Sequence, residues 1–337
     1  ERYKTSSSIG INIEAEASVT RVQAAIVAGS EKDPNINYTE YVQKHSVCDA
    51  KGSYTLAFDF LKPESIYTIY VLAYDENGLP TGLKSLTCST GAVADDPFTV
   101  TTTHVGTTTL KYNVTAKDAS VKYCTFATGY DYYQRWQLEE GTNGDVIKHF
   151  ISMWSTFASW YGENWQTMMK YDRREGTYEG DGYHLMWDAR QVVITFGMDD
   201  DGNLVTPIQV DSIHTNAPTP VDMDIPVTVL SNEWGDQQIK AAPTTNTPYF
   251  ITMQPAAYVD LYKTDAALLR ALCYEADNIN PTDLARTRDE DLRDGLWEFR
   301  VRKDVDTDYY IIAVGLDEGA PATRAFKTKI TVPGGSF

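Results

Sequence analysis

Cysteine and histidine are scarce in this sequence, with four Cys and five His among 337 residues, and neither falls at a spacing that would ligate a metal. Cys48, Cys88, Cys124 and Cys273 contain no C-x-x-C and no repeated interval, which excludes a zinc ribbon and a disulfide-dense scaffold. Buried free thiols are the simplest reading, and a Cys48–Cys88 bridge is left open. Long apolar runs are missing as well. The longest are strand-sized, such as Tyr309–Val314, against the twenty or so residues that span a bilayer. Positive charge is in deficit, 29 Lys and Arg against 47 Asp and Glu, a formal net charge of −18. That surface repels phosphate backbones and anionic lipid, so neither nucleic acid nor direct membrane insertion is expected. No G-x-S-x-G, H-E-x-x-H or phosphate-binding glycine loop occurs, and no catalytic residue or cofactor site is legible.

Aromatic residues are plentiful. The 22 Tyr, 7 Trp and 11 Phe suit the pleated surface of strands, and the length exceeds what one sandwich core supports. One segment recurs three times: Tyr67–Gly78 (YTIYVLAYDENG), Gln191–Gly202 (QVVITFGMDDDG) and Tyr309–Gly319 (YYIIAVGLDEG). Each runs from alternating β-branched and aromatic residues into an acidic cluster and Gly, a hairpin signal, and a second strand follows. Further strand patterns lie upstream of each copy, at Ile9–Ala15 and Val22–Ala28, at Phe98–Thr103, Thr109–Thr115 and Val121–Thr128, and at Ile225–Leu230, Gln238–Ala242 and Tyr249–Met253. Many short strands and few long helices predict a mainly β chain of three tandem immunoglobulin-like β-sandwiches, over 1–93, 94–217 and 218–334. The joins Gly91–Pro97 and Thr215–Pro220 read as semi-rigid spacers.

Leu61, Pro63 and Tyr67 form L-x-P-x-x-x-Y, followed by I-x-V-x-A to Ala73. This resembles the fibronectin type III family, in which a Leu-Pro turn and the following Tyr make a corner between two strands. Tyr309 keeps the corner position without the Pro, and Gln191 replaces the Tyr in the second copy. The long interrupted middles and acidic turns resemble tandem modules of Bacteroidetes surface lipoproteins. That resemblance implies an exported protein at the cell surface, with an N-terminal lipid anchor upstream. A start at Glu1, with neither Met nor a basic, apolar leader, reads as a trimmed or mature form.

The middles of the second and third modules, about 137–175 and 258–295, read as helical insertions. Asp145 is a good N-cap; Ile147, Phe150, Trp154, Phe157 and Tyr161 then recur at helical steps until Gly162. Glu163–Tyr171 adds a shorter turn, and Thr264–Ala276 places Leu268, Leu269, Leu272 and Cys273 on one side. The first module has only the weak pattern Tyr38–Lys44. The repeated strand is apolar at both parities, with Tyr67, Ile69, Val71 and Ala73 against Tyr70, Leu72 and Tyr74, and Ile311 and Ala313 against Tyr310, Ile312, Val314 and Leu316. A strand wet on one side alternates apolar with polar, so both faces of this sheet are covered, and the inserted helices are expected on its outer face. Burial there contributes about 25 cal/mol per Å² of apolar surface, enough to retain the helices without a ligand.

Tyr130, Tyr132, Tyr133, Trp136, Trp160 and Trp165 are the candidate ligand-binding residues, because flat rings with a polar edge stack on sugars or anchor a protein partner. The competing reading assigns aromatics of the helices to the core. Asp199, Asp200, Asp201, Gly202 and Asn203 hint at a calcium loop, but the acidic turn of all three copies reads more simply as a hairpin. Arg286, Arg288, Asp289, Glu290, Asp291, Arg293 and Asp294 read as an exposed charged segment. Glu179, Asp181, His184 and Asp188 are the nearest approach to an acid/base cluster, with chance acidity the simpler reading. Asn37-x-Thr39 and Asn113-x-Thr115 match glycosylation sequons. The expected function is that of a non-catalytic, cell-surface binding or adhesion protein for a glycan or protein. The alternatives are a structural spacer or assembly subunit, and an accessory part of a polysaccharide-degrading system.

Overall fold

Among the described residues, strand alternation and turn chemistry produce six small antiparallel sheets, paired into three sandwiches. The computed structural model describes residues 1–275 and 295–335. The charged segment holding Arg286 through Asp294, and most of the second half of the third insertion, lie outside them. The described residues divide into two compact units, the first being 1–104, 111–182 and 190–213, the second 105–110, 183–189 and the chain from 214 onward.

The first unit contains two sandwiches. One is built from β1 (Tyr3–Lys4), β2 (Ile9–Ile13), β3 (Arg21–Ala28), β4 (Cys48–Ala50), β5 (Tyr54–Phe58), β6 (Ile66–Tyr74) and β7 (Pro80–Ser89), in sheets ordered β1-β2-β5 and β4-β3-β6-β7. The other is built from β8 (Phe98–Val105), β9 (Leu110–Ala116), β10 (Tyr123–Gly129), β11 (Thr177–Gly182), β12 (Arg190–Gly197) and β13 (Gln209–His214), ordered β11-β9-β8 and β10-β12-β13. In the second unit, β14 (Val227–Glu233), β15 (Asp236–Ala241) and β17 (Leu296–Phe299) face β16 (Tyr249–Pro255), β18 (Thr307–Asp317), the two-residue β19 (Ala320–Pro321) and β20 (Phe326–Val332). Apart from β4 in the first sandwich and β19 in the third, the chain path through the two sheets is the same each time.

Both faces of the repeated strand are buried. In β6, Tyr67 and Ile69 join Ile9, Ile11, Leu56 and Phe58 between the sheets, while Tyr70, Leu72 and Tyr74 pack outward against Tyr38 and Val42 of α1 (Tyr38–His45). In β18, Ile311 and Ala313 face inward, and Ile312, Val314 and Leu316 face outward. The outer cover there is Val259 of α5 (Ala256–Val259), Leu268 and Leu269 of α6 (Asp265–Arg270), and Leu272. By contrast β9 buries Leu110, Tyr112, Val114 and Ala116 and leaves alternate positions open, the pattern of a sheet with one wet face. The expected helical cover is therefore present, and it extends to the first sandwich, where the sequence pattern of α1 is weak. Asn37 is committed as the N-cap of α1, accepting from the amides of Thr39 and Glu40, which accounts locally for that sequon-like triplet.

The acidic turns are hairpin turns. Asp75 accepts from the amides of Asn77 and Leu79, both at 2.9 Å, and Asp199 from those of Asp201 (3.0 Å) and Asn203 (2.8 Å). Asp200 pairs with Arg173. In the second unit the turn at Glu318 is tied down, its carbonyl accepting from the hydroxyls of Thr107 (3.0 Å) and Thr108 (2.7 Å).

All four cysteines are free. Cys48 and Cys88 sit on β4 and β7, opposite edges of one four-stranded sheet, so three strand spacings of roughly 4.8 Å separate them, far beyond the reach of a disulfide. Burial pushes the thiols of Cys48 up to about 11 and of Cys124 and Cys273 up to about 12, so they stay protonated and unreactive at neutral pH.

The join Gly91–Pro97 is more than a spacer. Asp96 accepts from the amide (2.6 Å) and hydroxyl (2.5 Å) of Ser6, and the Lys117 ammonium bonds the carbonyls of Val93 and Ala94. Nearby, burial raises the Asp211 carboxyl to about 6; the amide of Gln209 opposes the shift and Asp96 adds to it. The native state therefore holds this proton more tightly than the unfolded chain. Stability is greatest below pH 4 as far as this group is concerned, and declines as pH rises through 6, by about 3 kcal/mol at most. Asp211→Asn should abolish that decline and make the protein more stable than wild type at pH 7, as read by urea midpoints at pH 4.5 and 7.

Candidate functional site

The aromatic residues of the second sandwich are carried by three helices: α2 (Tyr130–Leu138), α3 (Val146–Tyr161) and α4 (Trp165–Asp172). Asp145 caps α3 by accepting from the Ile147 amide at 3.1 Å, and Gly162 ends it at φ +69°. Asn164 caps α4 through the Thr167 amide at 2.9 Å. Val146, Ile147, Phe150 and Trp154 of α3 are buried against Val192, Ile194 and Phe196 of β12, and Ala158 is buried one turn on. The Trp154 indole N–H donates to Asp172 at 2.7 Å, and its ring stacks on Trp165 at 6.3 Å.

Five of the six candidate residues are engaged by this layer and by the first sandwich. Tyr133 is 1% exposed and its hydroxyl donates to Asp59 at 3.1 Å. Burial raises the Asp59 carboxyl, which also accepts from Ser8 at 2.6 Å. Tyr130 packs edge-on against Phe60 at 5.1 Å, beneath the Arg190 guanidinium. Tyr132 is stacked by Arg135 at 4.1 Å. Trp136 lies flat on His149 at 4.4 Å, and His149 is held by Glu139. Trp165 closes over Gly202, where a Cβ would meet its ring at 2.0 Å.

Trp160 is the exception, at 68% exposed. It stands edge-to-face with Phe157 at 5.2 Å, and Phe157 (41%) and Tyr161 (72%) are exposed beside it. Phe157 and Tyr161 were expected on the core stripe. At 100° per residue Phe157 points 60° away from Trp154, and Ala158 takes the inward place of that turn. Tyr161 does follow the inward direction, but it is the last helical residue, beyond the last buried side chain. A three- or four-residue step fits a core aromatic and one on the flank of the stripe equally well, and Phe157 and Tyr161 are of the second kind.

The acid/base candidates divide between the two units. Glu179 and Asp181 are exposed on one side of β11 in the first unit. In the second unit, His184 is exposed and Asp188 bonds His214 at 3.2 Å. Among the described residues no group of three or more His, Cys, Asp or Glu is arranged to hold a metal ion.

The corner motif completes the structural case. The Lys62 amide donates to the Tyr67 hydroxyl at 2.9 Å, joining the strand back to the Leu-Pro turn, in a sandwich whose strand path recurs three times. The chain is a tandem array of fibronectin type III-like sandwiches. No protein-family model matches it, and no curated protein does. Solved structures similar to it include the central fibronectin-III array of RIM-binding protein, at 9% identity over 74% of this chain and 79% of that one, with a TM-score of 0.20. Another is the FN1–FN3 domains of chicken CNTN1, at 12% identity over 98% and 96%, with a TM-score of 0.22. The fold rests on the sheets, the corner and the double-sided strand.

Proposed function

We propose that this chain is a non-catalytic binding protein of three modules, divided near 93/94 and 217/218, that works at a cell surface and engages a glycan or a protein partner through the exposed edge of α3. The observation that carries the reading is Trp160. A rigid helix, locked into the core by Trp154 and Phe150, holds three aromatic rings out to solvent where no packing requires them. Flat rings with an indole N–H at their edge suit stacking on a sugar ring or anchoring in a partner's pocket. Among the described residues no helix is long and apolar enough to cross a membrane, so attachment to a surface would come from elsewhere.

Glycan-array and pull-down measurements test this. Saturable binding is expected for the wild type, and Trp160→Ala should weaken it by roughly thirtyfold, the loss of one central hot spot. Equal binding by the two proteins overturns the assignment.

A second reading is favoured by the joint between the first two sandwiches, which is built like a fixed strut. Arg2 pairs with Asp145 at 2.9 Å, the Thr55 amide donates to the Asn143 carbonyl at 2.8 Å, and Asp59 joins Tyr133. A spacer needs such a joint. It needs no exposed Trp, which is why binding is the primary reading.

A further inference from the structure

Apart from β4, the first two sandwiches share one strand path, and laying the second on the first exposes an edge of β10 that β4 covers in its counterpart. By register, Ala28 pairs with Tyr67 in the first sandwich and Gly129 with Gln191 in the second, so Val22, Ala24 and Ile26 of β3 correspond to Tyr123, Thr125 and Ala127 of β10. In the first sandwich β4 covers this edge: Val22 pairs with Ala50 and Ala24 with Cys48, the Ala24 carbonyl accepts from the Val47 amide, and its amide donates to the Ser46 hydroxyl at 3.0 Å. In the second sandwich only the first position is matched, by a two-way bridge between Tyr123 and Arg174.

The Met198 amide donates to the Lys122 carbonyl, which fixes the parity of the ladder. Cys124, Phe126 and Thr128 therefore direct their backbone groups to β12, while Thr125 and Ala127 direct theirs to the open edge, where no described residue meets them. A cavity of about 380 Å³ runs along this edge. Trp136, Phe150 and Met153 wall it on the helix side, and Tyr112, Tyr178 and Asp181 on the other. Asp172 and Arg174 also line it, but each is engaged: Asp172 by Trp154, and Arg174 by the Tyr171 carbonyl and the Tyr178 ring at 4.7 Å. Asp181 is the charged group left unspent, exposed and without an ion pair among the described residues.

We propose that this edge is a strand-addition site for an extended peptide segment of a partner protein, running antiparallel to β10 in the place β4 takes in the first sandwich. Residues of that segment opposite Phe126 and Thr128 would project toward Trp136, Phe150 and Met153 and must be apolar. Those opposite Thr125 and Ala127 would project toward Tyr112, Tyr178 and Asp181, and a basic side chain meets the free carboxylate. Main-chain bonds to the amides and carbonyls of Thr125 and Ala127 supply the affinity, and the alternation of apolar and basic residues supplies the selection. The site is separate from the aromatic edge of α3, so the two assignments stand or fall independently.

A short fluorescent peptide of alternating valine and lysine, with its valine–glutamate counterpart as control, tests this on the whole chain. Saturable binding of the first is expected, with slowed hydrogen exchange at the Thr125 and Ala127 amides and no effect of Trp160→Ala. Asp181→Lys, a substitution on the surface, should weaken it about tenfold. Ala127→Pro, which removes one edge donor that makes no bond to β12, should weaken it by up to about tenfold, the loss of one main-chain hydrogen bond. Absence of saturable binding, equal binding of the glutamate peptide, or binding without protection of those two amides overturns the proposal. So does occupation of the cavity by an oligosaccharide that leaves both amides exchanging freely.

Discussion

Gly144→Ala should destabilise the protein by about 3–5 kcal/mol, among the largest losses expected from a single methyl group. Gly144 sits at φ +81° just before the N-cap of α3, pressed against β5 of the first sandwich. A Cβ there would lie 1.8 Å from the Thr55 carbonyl oxygen and 2.5 Å from the Tyr54 ring. The ring could swing aside. The carbonyl could not, because the Thr55 amide is bonded to Asn143 and the strand is paired with β2. The substitution must therefore either break the joint or shift the start of α3, and Arg2–Asp145 is lost in both cases. Gly141 is the control. Its φ is +85° but nothing lies within 4 Å of the added Cβ, so Gly141→Ala should cost only the backbone strain, about 1–2 kcal/mol. Urea unfolding of the two variants separates collision from strain.

Trp154→Ala should cost about 3–5 kcal/mol by removing the largest wholly buried side chain of the helix layer. The loss has three parts. A cavity opens between α3 and β12, the Asp172 carboxylate loses its indole donor, and Trp165 loses the ring it stacks on. Trp154→Phe keeps most of the volume and forfeits the hydrogen bond, so it should fall between wild type and alanine, within about 1–3 kcal/mol of wild type. Equilibrium denaturation of both variants reads the difference, and a Phe variant as unstable as the Ala variant would mean the bond to Asp172 outweighs the packing.

The architecture was legible because the repeated strand states its own surroundings. Tyr70, Leu72 and Tyr74 have no reason to be apolar unless something covers them, and α1 does. The same logic anticipated the helices over Ile194 and over Ile312. The individual roles of the aromatics were less legible, for a reason of range. The Tyr133 hydroxyl finds its acceptor in Asp59, a residue 74 positions away in another sandwich, and no local pattern announces that pairing. Likewise the join Gly91–Pro97 reads as a spacer from its small residues and Pro, while its rigidity comes from Ser6 reaching back to Asp96 across 90 positions. The open edge of β10 follows from which strands pair, and no local pattern states that.

The claim at the centre of this account is that α3 has two aromatic faces with opposite duties, one holding the fold together and the other offered to a ligand. Thermal unfolding of Trp154→Ala and Trp160→Ala, side by side with wild type, tests it directly. The account predicts a fall on the order of 10 °C for Trp154→Ala and a change of about 1–2 °C for Trp160→Ala. Comparable falls for the two variants would contradict it, because Trp160 would then belong to the core.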